Sequence, residues 1–120
     1  MTPAPGGAQL NPIAVEQELR RLSDLLEERT DELRVQSEHA AQAEATYKLA
    51  KSRTIVQILS EGKSTADERE ARAYIACSDQ LVERLTSAAA AESTREACRS
   101  LRAQLSALQT LSANHREISR

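Results

Sequence analysis

Between residues 12 and 60 apolar side chains recur every three or four positions, and neither Gly nor Pro interrupts the run. Two registers stand out, each repeating every seven residues. One is Leu19, Leu26, Leu33, Ala40, Tyr47 and Thr54; the other is Val15, Leu22, Arg29, Gln36, Ala43 and Ala50. A period between 3.5 and 3.6 is the signature of an amphipathic helix with a coiled-coil-like seam. The pattern therefore predicts one long helix over residues 12–60, about 73 Å at 1.5 Å per residue. Arg29 and Gln36 interrupt the second register, so the seam carries polar positions in its middle. A dimeric zipper would keep both registers apolar.

The start and stop of this helix are written locally. Asn11 is a favoured N-cap, and Pro12 suits the first helical position, where its missing N–H costs nothing. Residues 1–11 hold Pro3, Pro5, Gly6 and Gly7 and read as a disordered tail. Residues 61–65 read as a turn, with Gly62 as the C-terminal glycine of the first helix. Thr65 and Glu68 form a T-x-x-E capping box that opens a second helical run over residues 66–118. Ser93 and Glu96 repeat the same signature, which leaves open a split of the second helix near residues 91–94 and a third helix folding back as a small bundle.

Two runs of nearly equal length joined by a short turn imply an all-α, antiparallel helical hairpin. Folding them about the turn sets Val15, Leu19, Leu22 and Leu26 beside Leu111, Leu108, Leu105 and Leu101. It sets the alanine-rich middles near one another, Ile55 and Ile58 near Ala71 and Glu68, and Tyr47 near residues 74–79. A hairpin only two helices thick cannot cover every apolar residue. Val35, Leu49, Val56, Leu59, Ile75, Val82 and Leu85 remain as a second stripe, so the chain is expected to form a homo-oligomer.

Composition narrows the class. The 120 residues include 20 Ala and 14 Leu, but 2 Tyr, no Phe and no Trp. Turn residues are too sparse for a β-sandwich or barrel, and no window of about 20 residues is apolar enough to cross a membrane. Residues 1–9 have no basic and apolar segments of a signal peptide, so the chain is expected to be cytoplasmic, with Cys77 and Cys98 as reduced, buried thiols. The formal net charge of -2 hides an asymmetry: residues 1–46 carry 4 basic and 9 acidic side chains, and residues 47–120 carry 12 basic and 9 acidic.

Catalytic chemistry is not visible. Gly62-Lys63-Ser64 lacks the upstream glycine and the preceding strand of a phosphate-binding loop. Glu27-Glu28, Asp31-Glu32 and Glu68-Glu70 sit among arginines and read as solvated pairs. His39 and His115 lie too far apart along the chain to make a recognisable ligand set with the cysteines. The reading is a non-enzyme without cofactor, metal or small-molecule substrate. The basic residues offer more. Lys48, Lys51 and Arg53 lie in a stretch free of acids, Lys63 follows in the turn, and Arg95, Arg99 and Arg102 fall on one helix face at i, i+4 and i+7. Such clusters can track phosphates, and an oligomer would multiply them.

Several segments carry a resemblance. They are residues 45–53 (Ala-Thr-Tyr-Lys-Leu-Ala-Lys-Ser-Arg), the Gly62 turn, Glu68-Arg69-Glu70-Ala71, and the run Leu101, Leu105, Leu108. Together they resemble the bacteriophage recombination mediator proteins of the UvsY type over about residues 40–115. The chain is poorer in aromatics and lysine than that family, and it is acidic overall. The resemblance implies an oligomeric protein that binds single-stranded DNA and helps load a recombinase onto DNA coated with single-strand-binding protein. It implies Lys48, Lys51 and Arg53 as DNA contacts; Lys63, Arg95, Arg99 and Arg102 join them from position and spacing. The competing expectation is a structural or adaptor coiled coil, such as a phage assembly scaffold or chaperone, with no nucleic-acid role.

Overall fold

A computed structural model describes residues 11–118, and the expected tail over residues 1–10 lies outside them. The described chain is all-α, with α1 over Pro12–Ser60, α2 over Ala66–Ala76 and α3 over Ser78–Ile118. No helix among the described residues is long and apolar enough to cross a membrane.

The predicted boundaries hold for the physical reasons that suggested them. The Asn11 side chain accepts from the Ile13 N–H at 3.0 Å, and its carbonyl accepts from Val15 at 2.9 Å. One orphan amide of the first turn is thereby satisfied. α1 stops at Ser60, and Gly62 follows with φ +134°. Only glycine adopts that backbone region without strain. Thr65 accepts from the Glu68 N–H at 3.1 Å, and Glu68 reaches back to the Thr65 N–H at 3.4 Å. Arg69 braces the turn by donating to the Ser64 carbonyl at 2.7 Å.

The second helical run is interrupted, but at Cys77 rather than near residues 91–94. Cys77 leaves helical geometry at φ -105° and ψ 22°, while its N–H still donates to the Ala73 carbonyl. Ser78 and Asp79 follow directly, both residues that favour helix starts over helix interiors. The Ser93-x-x-Glu96 signature lies inside α3 and makes no break. The Glu96 carboxylate pairs with Arg99, so it is not the reciprocal partner a capping box requires, and Thr94 is buried in the seam.

The described chain divides into two compact units. In the first, residues 11–32 of α1 pack against residues 94–118 of α3. Its core is Val15, Leu22, Thr94, Cys98 and Leu101. Arg29 lies half-buried in this seam and donates to Glu32 at 2.8 Å, which raises its pKa from the ordinary value mainly through that hydrogen bond. The second unit is Leu33–Ser93, where α1 packs against α2 and the start of α3. Its core is Ala43, Tyr47, Ile58, Ala73, Cys77, Ser87 and Ala91.

Both α1 registers read from the sequence are the seam: every one of their twelve residues is buried or half-buried. Along α2 and α3 the buried and half-buried positions of the two units include Ala73, Cys77, Gln80, Arg84, Ser87 and Ala91 in the second and Thr94, Cys98, Leu101, Leu105 and Leu108 in the first, again at alternating steps of three and four. The contacts Glu44–Arg84, Thr54–Cys77 and Glu61–Arg72 ascend the first segment while descending the second, so the packing in the second unit is antiparallel. Contacts across the second unit join His39 to Glu83, Lys51 to Glu70 and Thr54 to Cys77, on both sides of the alignment expected from the sequence. Tyr47 meets Arg84 rather than residues 74–79, and Val15 lines a groove with Ser112 and His115 while Leu111 is 54 % exposed. Of the alanine run at 88–91 only Ala91 enters the seam; Ala88, Ala89 and Ala90 are exposed and contribute helix propensity instead.

Candidate functional site

The basic residues were the sequence's sharpest functional signal, and the fold assigns most of them partners. Lys48 pairs with Glu44 at 3.4 Å. Lys51 turns toward the seam and donates to Glu70 at 2.8 Å, and this hydrogen bond is the main cause of its raised pKa. Arg53 is exposed, but it lies five residues beyond Lys48, which puts the two about 140° apart around α1. Lys63 is exposed in the turn. Arg95, Arg99 and Arg102 share one face of α3 in the first unit, as their spacing predicts; there Arg99 pairs with Glu96. The seven residues thus fall into separate groups, and no one helix face within either unit gathers Lys48, Lys51 and Arg53.

The aromatic residues divide in the same way. Tyr47 is 7 % exposed and lies under the Arg84 guanidinium at 5.2 Å from the ring centre. Its ring is committed to the core. Tyr74 is 59 % exposed.

Beside the seam of the second unit lies one further polar cluster. His39 and the Glu83 carboxylate meet at 2.6 Å, and Ser87 donates to the same carboxylate at 3.3 Å. These two hydrogen bonds hold the Glu83 carboxyl below the usual carboxylate range. The pair borders an open groove of about 330 Å³ lined also by Gln42, Ala43, Thr46, Asp79 and Gln80. The lining holds neither Ser nor Cys beside the histidine. Among the described residues no group of three or more His, Cys, Asp or Glu side chains is placed to hold a metal ion. Cys77 and Cys98 are buried free thiols at 2 % and 0 % exposure.

What the fold leaves uncovered is apolar. Val35, Leu49, Val56, Leu59, Ile75, Val82 and Leu85, the second stripe of the sequence, are each more than half exposed, and Tyr74 joins them. All eight lie in the second unit. On α1, Leu49, Val56 and Leu59 are spaced seven and three apart; on α2 and α3, Ile75, Val82 and Leu85 repeat the same spacing. At 100° per residue the α1 set lies about 170° from its seam and the α2–α3 set about 165° from its own. Each stripe therefore occupies the outer face of its helix, on opposite sides of this unit. Tyr74 was not singled out as part of this stripe; its place one residue before Ile75 was the available signal.

Comparison with models of protein families, with curated proteins and with solved structures finds no match to this chain.

Proposed function

We propose that this chain is a non-enzymatic helical adaptor that works by protein association and has no nucleic-acid role. The observation that carries the reading is the concentration of eight exposed large apolar side chains on the two outer faces of residues 33–93. Exposed apolar stripes of this extent on a two-helix unit mark association surfaces. The ion pairing of Lys48, Lys51 and Arg99 supports the same reading, because a cation already neutralised by a carboxylate contributes less to phosphate binding.

A second reading, a mediator that binds single-stranded DNA and assists recombinase loading, rests on Arg53, Lys63 and Arg102, which are exposed and make no ion pair among the described residues. Anisotropy of a labelled single-stranded oligonucleotide at low salt separates the two. The adaptor reading expects no saturable signal at about 10 µM protein, weaker than ordinary non-specific binding. A saturable signal lost on combined Arg53→Glu and Lys63→Glu substitution would instead establish the mediator.

A further inference from the structure

Charge divides the two outer faces of the second unit as sharply as hydrophobicity unites them. Residues 45–60 of α1, which hold Leu49, Val56 and Leu59, contain Lys48, Lys51 and Arg53 and no acid. Residues 74–85, which hold Tyr74, Ile75, Val82 and Leu85, contain Asp79 and Glu83 and one cation, Arg84, which turns inward to Glu44 and the Tyr47 ring, while the preceding Arg72 pairs with Glu61. Asp67 and Glu68 extend the acidic side at the start of α2, and both are exposed. The residues that separate the apolar positions are small or uncharged: Ala45 and Ser52 on α1, Ala71, Ser78, Thr86 and Ala89 on the other face. Close helix approach is therefore open on both sides.

Resting on the adaptor reading, we propose that the partner of each face is a second copy of this chain, and that the contact is heterologous: the basic-flanked outer face of α1 in one copy docks on the acidic-flanked outer face of α2 and α3 in the next. Three features select this arrangement. Each stripe holds three large apolar positions within eleven residues, so the two offer apolar faces of matching length to one another. Face-to-same-face pairing sets Lys48 and Arg53 against their own copies, or Asp67, Glu68 and Asp79 against theirs, and like charges across an interface are strongly disfavoured. The faces also lie on opposite sides of the unit, so each copy offers one donor and one acceptor surface. Contacts of that kind repeat head to tail rather than closing at a dimer.

Lys48 and Arg53 acquire a role in this arrangement that needs no nucleic acid: they steer and register the α1 face against the acidic face.

The test is complementation between two half-blocked chains. Val56→Glu places a carboxylate in the α1 face, and Val82→Glu places one in the α3 face. Both positions are exposed, at 66 % and 62 %, so helicity by circular dichroism should match the parent; Val56→Ser and Val82→Ser replace them if either lowers it. Sedimentation velocity of the full chain should show concentration-dependent assemblies larger than a dimer. Each variant alone should associate more than about tenfold more weakly, and an equimolar mixture should form a one-to-one heterodimer through its remaining pair of faces. Self-dimerisation of either variant to the parent's extent overturns the heterologous contact, as does a mixture that stays monomeric. A parent chain that is monomeric at the highest soluble concentration overturns self-association altogether. That last result leaves the adaptor reading standing with a different protein as partner, whereas saturable DNA binding by a monomer removes both.

Discussion

Tyr47 is the one aromatic ring buried in the described seam, and its truncation should be among the costliest single changes to this fold. The side chain is 7 % exposed, between Ala43 and Ala50 on its own helix face, with the Arg84 guanidinium 5.2 Å from its ring centre. Removing a buried aromatic to alanine costs about 3–5 kcal/mol in well-packed cores. A two-helix seam is wet on its flanks, so collapse and hydration relieve part of the cavity and the lower end applies. Loss of the cation–ring contact adds about 0.5–1 kcal/mol. Tyr47→Ala should therefore destabilise by about 3.5–4 kcal/mol. For a helical chain of this size that lowers the melting temperature by roughly 12 °C or more. Tyr74→Ala is the control: at 59 % exposure it should change monomer stability by no more than about 0.5 kcal/mol. Urea unfolding followed by circular dichroism, at protein concentrations below self-association, reads both. Equal effects of the two substitutions, or a Tyr47→Ala cost within 0.5 kcal/mol of zero, would refute the assignment of Tyr47 to the core.

Other expectations concern the turn and the polar seam. Thr65→Ala removes half of a capping box that is complete in the structure and should cost about 1 kcal/mol in urea unfolding, whereas Thr65→Ser should retain most of that stability. Gly62→Ala meets no steric obstacle, but the backbone sits at φ +134°, so a loss of about 1–2 kcal/mol is expected from conformational strain alone; a neutral outcome shows that the turn relaxes to another conformation. The Glu83 carboxyl is depressed by its hydrogen bonds from His39 and Ser87, so its stabilising contribution is present above the unfolded value near 4.5 and is lost as pH falls through the lower folded value. Glu83→Gln should flatten the fall in the urea midpoint across that acid window, and an unchanged pH profile means that the pair with His39 does not contribute.

The sequence by itself determined the helices and the face that each buries. Heptad spacing from Val15 to Thr54 named twelve positions of the α1 seam, though not the buried Ile58 beyond them, because burial of one helix face needs only periodicity, and periodicity is local. The Asn11-Pro12 start, the Gly62 turn and the Thr65 cap were equally legible, since each satisfies backbone groups within four residues. The seven-residue second stripe was legible too: once the seam is assigned, what remains apolar has nowhere to go within two helices. Tertiary structure decided the rest. Pairing register depends on which residues of the second run oppose each position of the first, which periodicity does not specify, so the stacking of Arg84 on Tyr47 was a tertiary matter. The interruption at Cys77 carried a weaker signal than Ser93-x-x-Glu96, and only the engagement of Glu96 with Arg99 distinguishes the two. The fate of the basic residues was likewise a tertiary matter. Lys51 and Arg53 are neighbours along the chain, yet one turns to Glu70 across the seam and the other to solvent. A charge shows in the sequence; whether it is neutralised is set by the helix packed beside it.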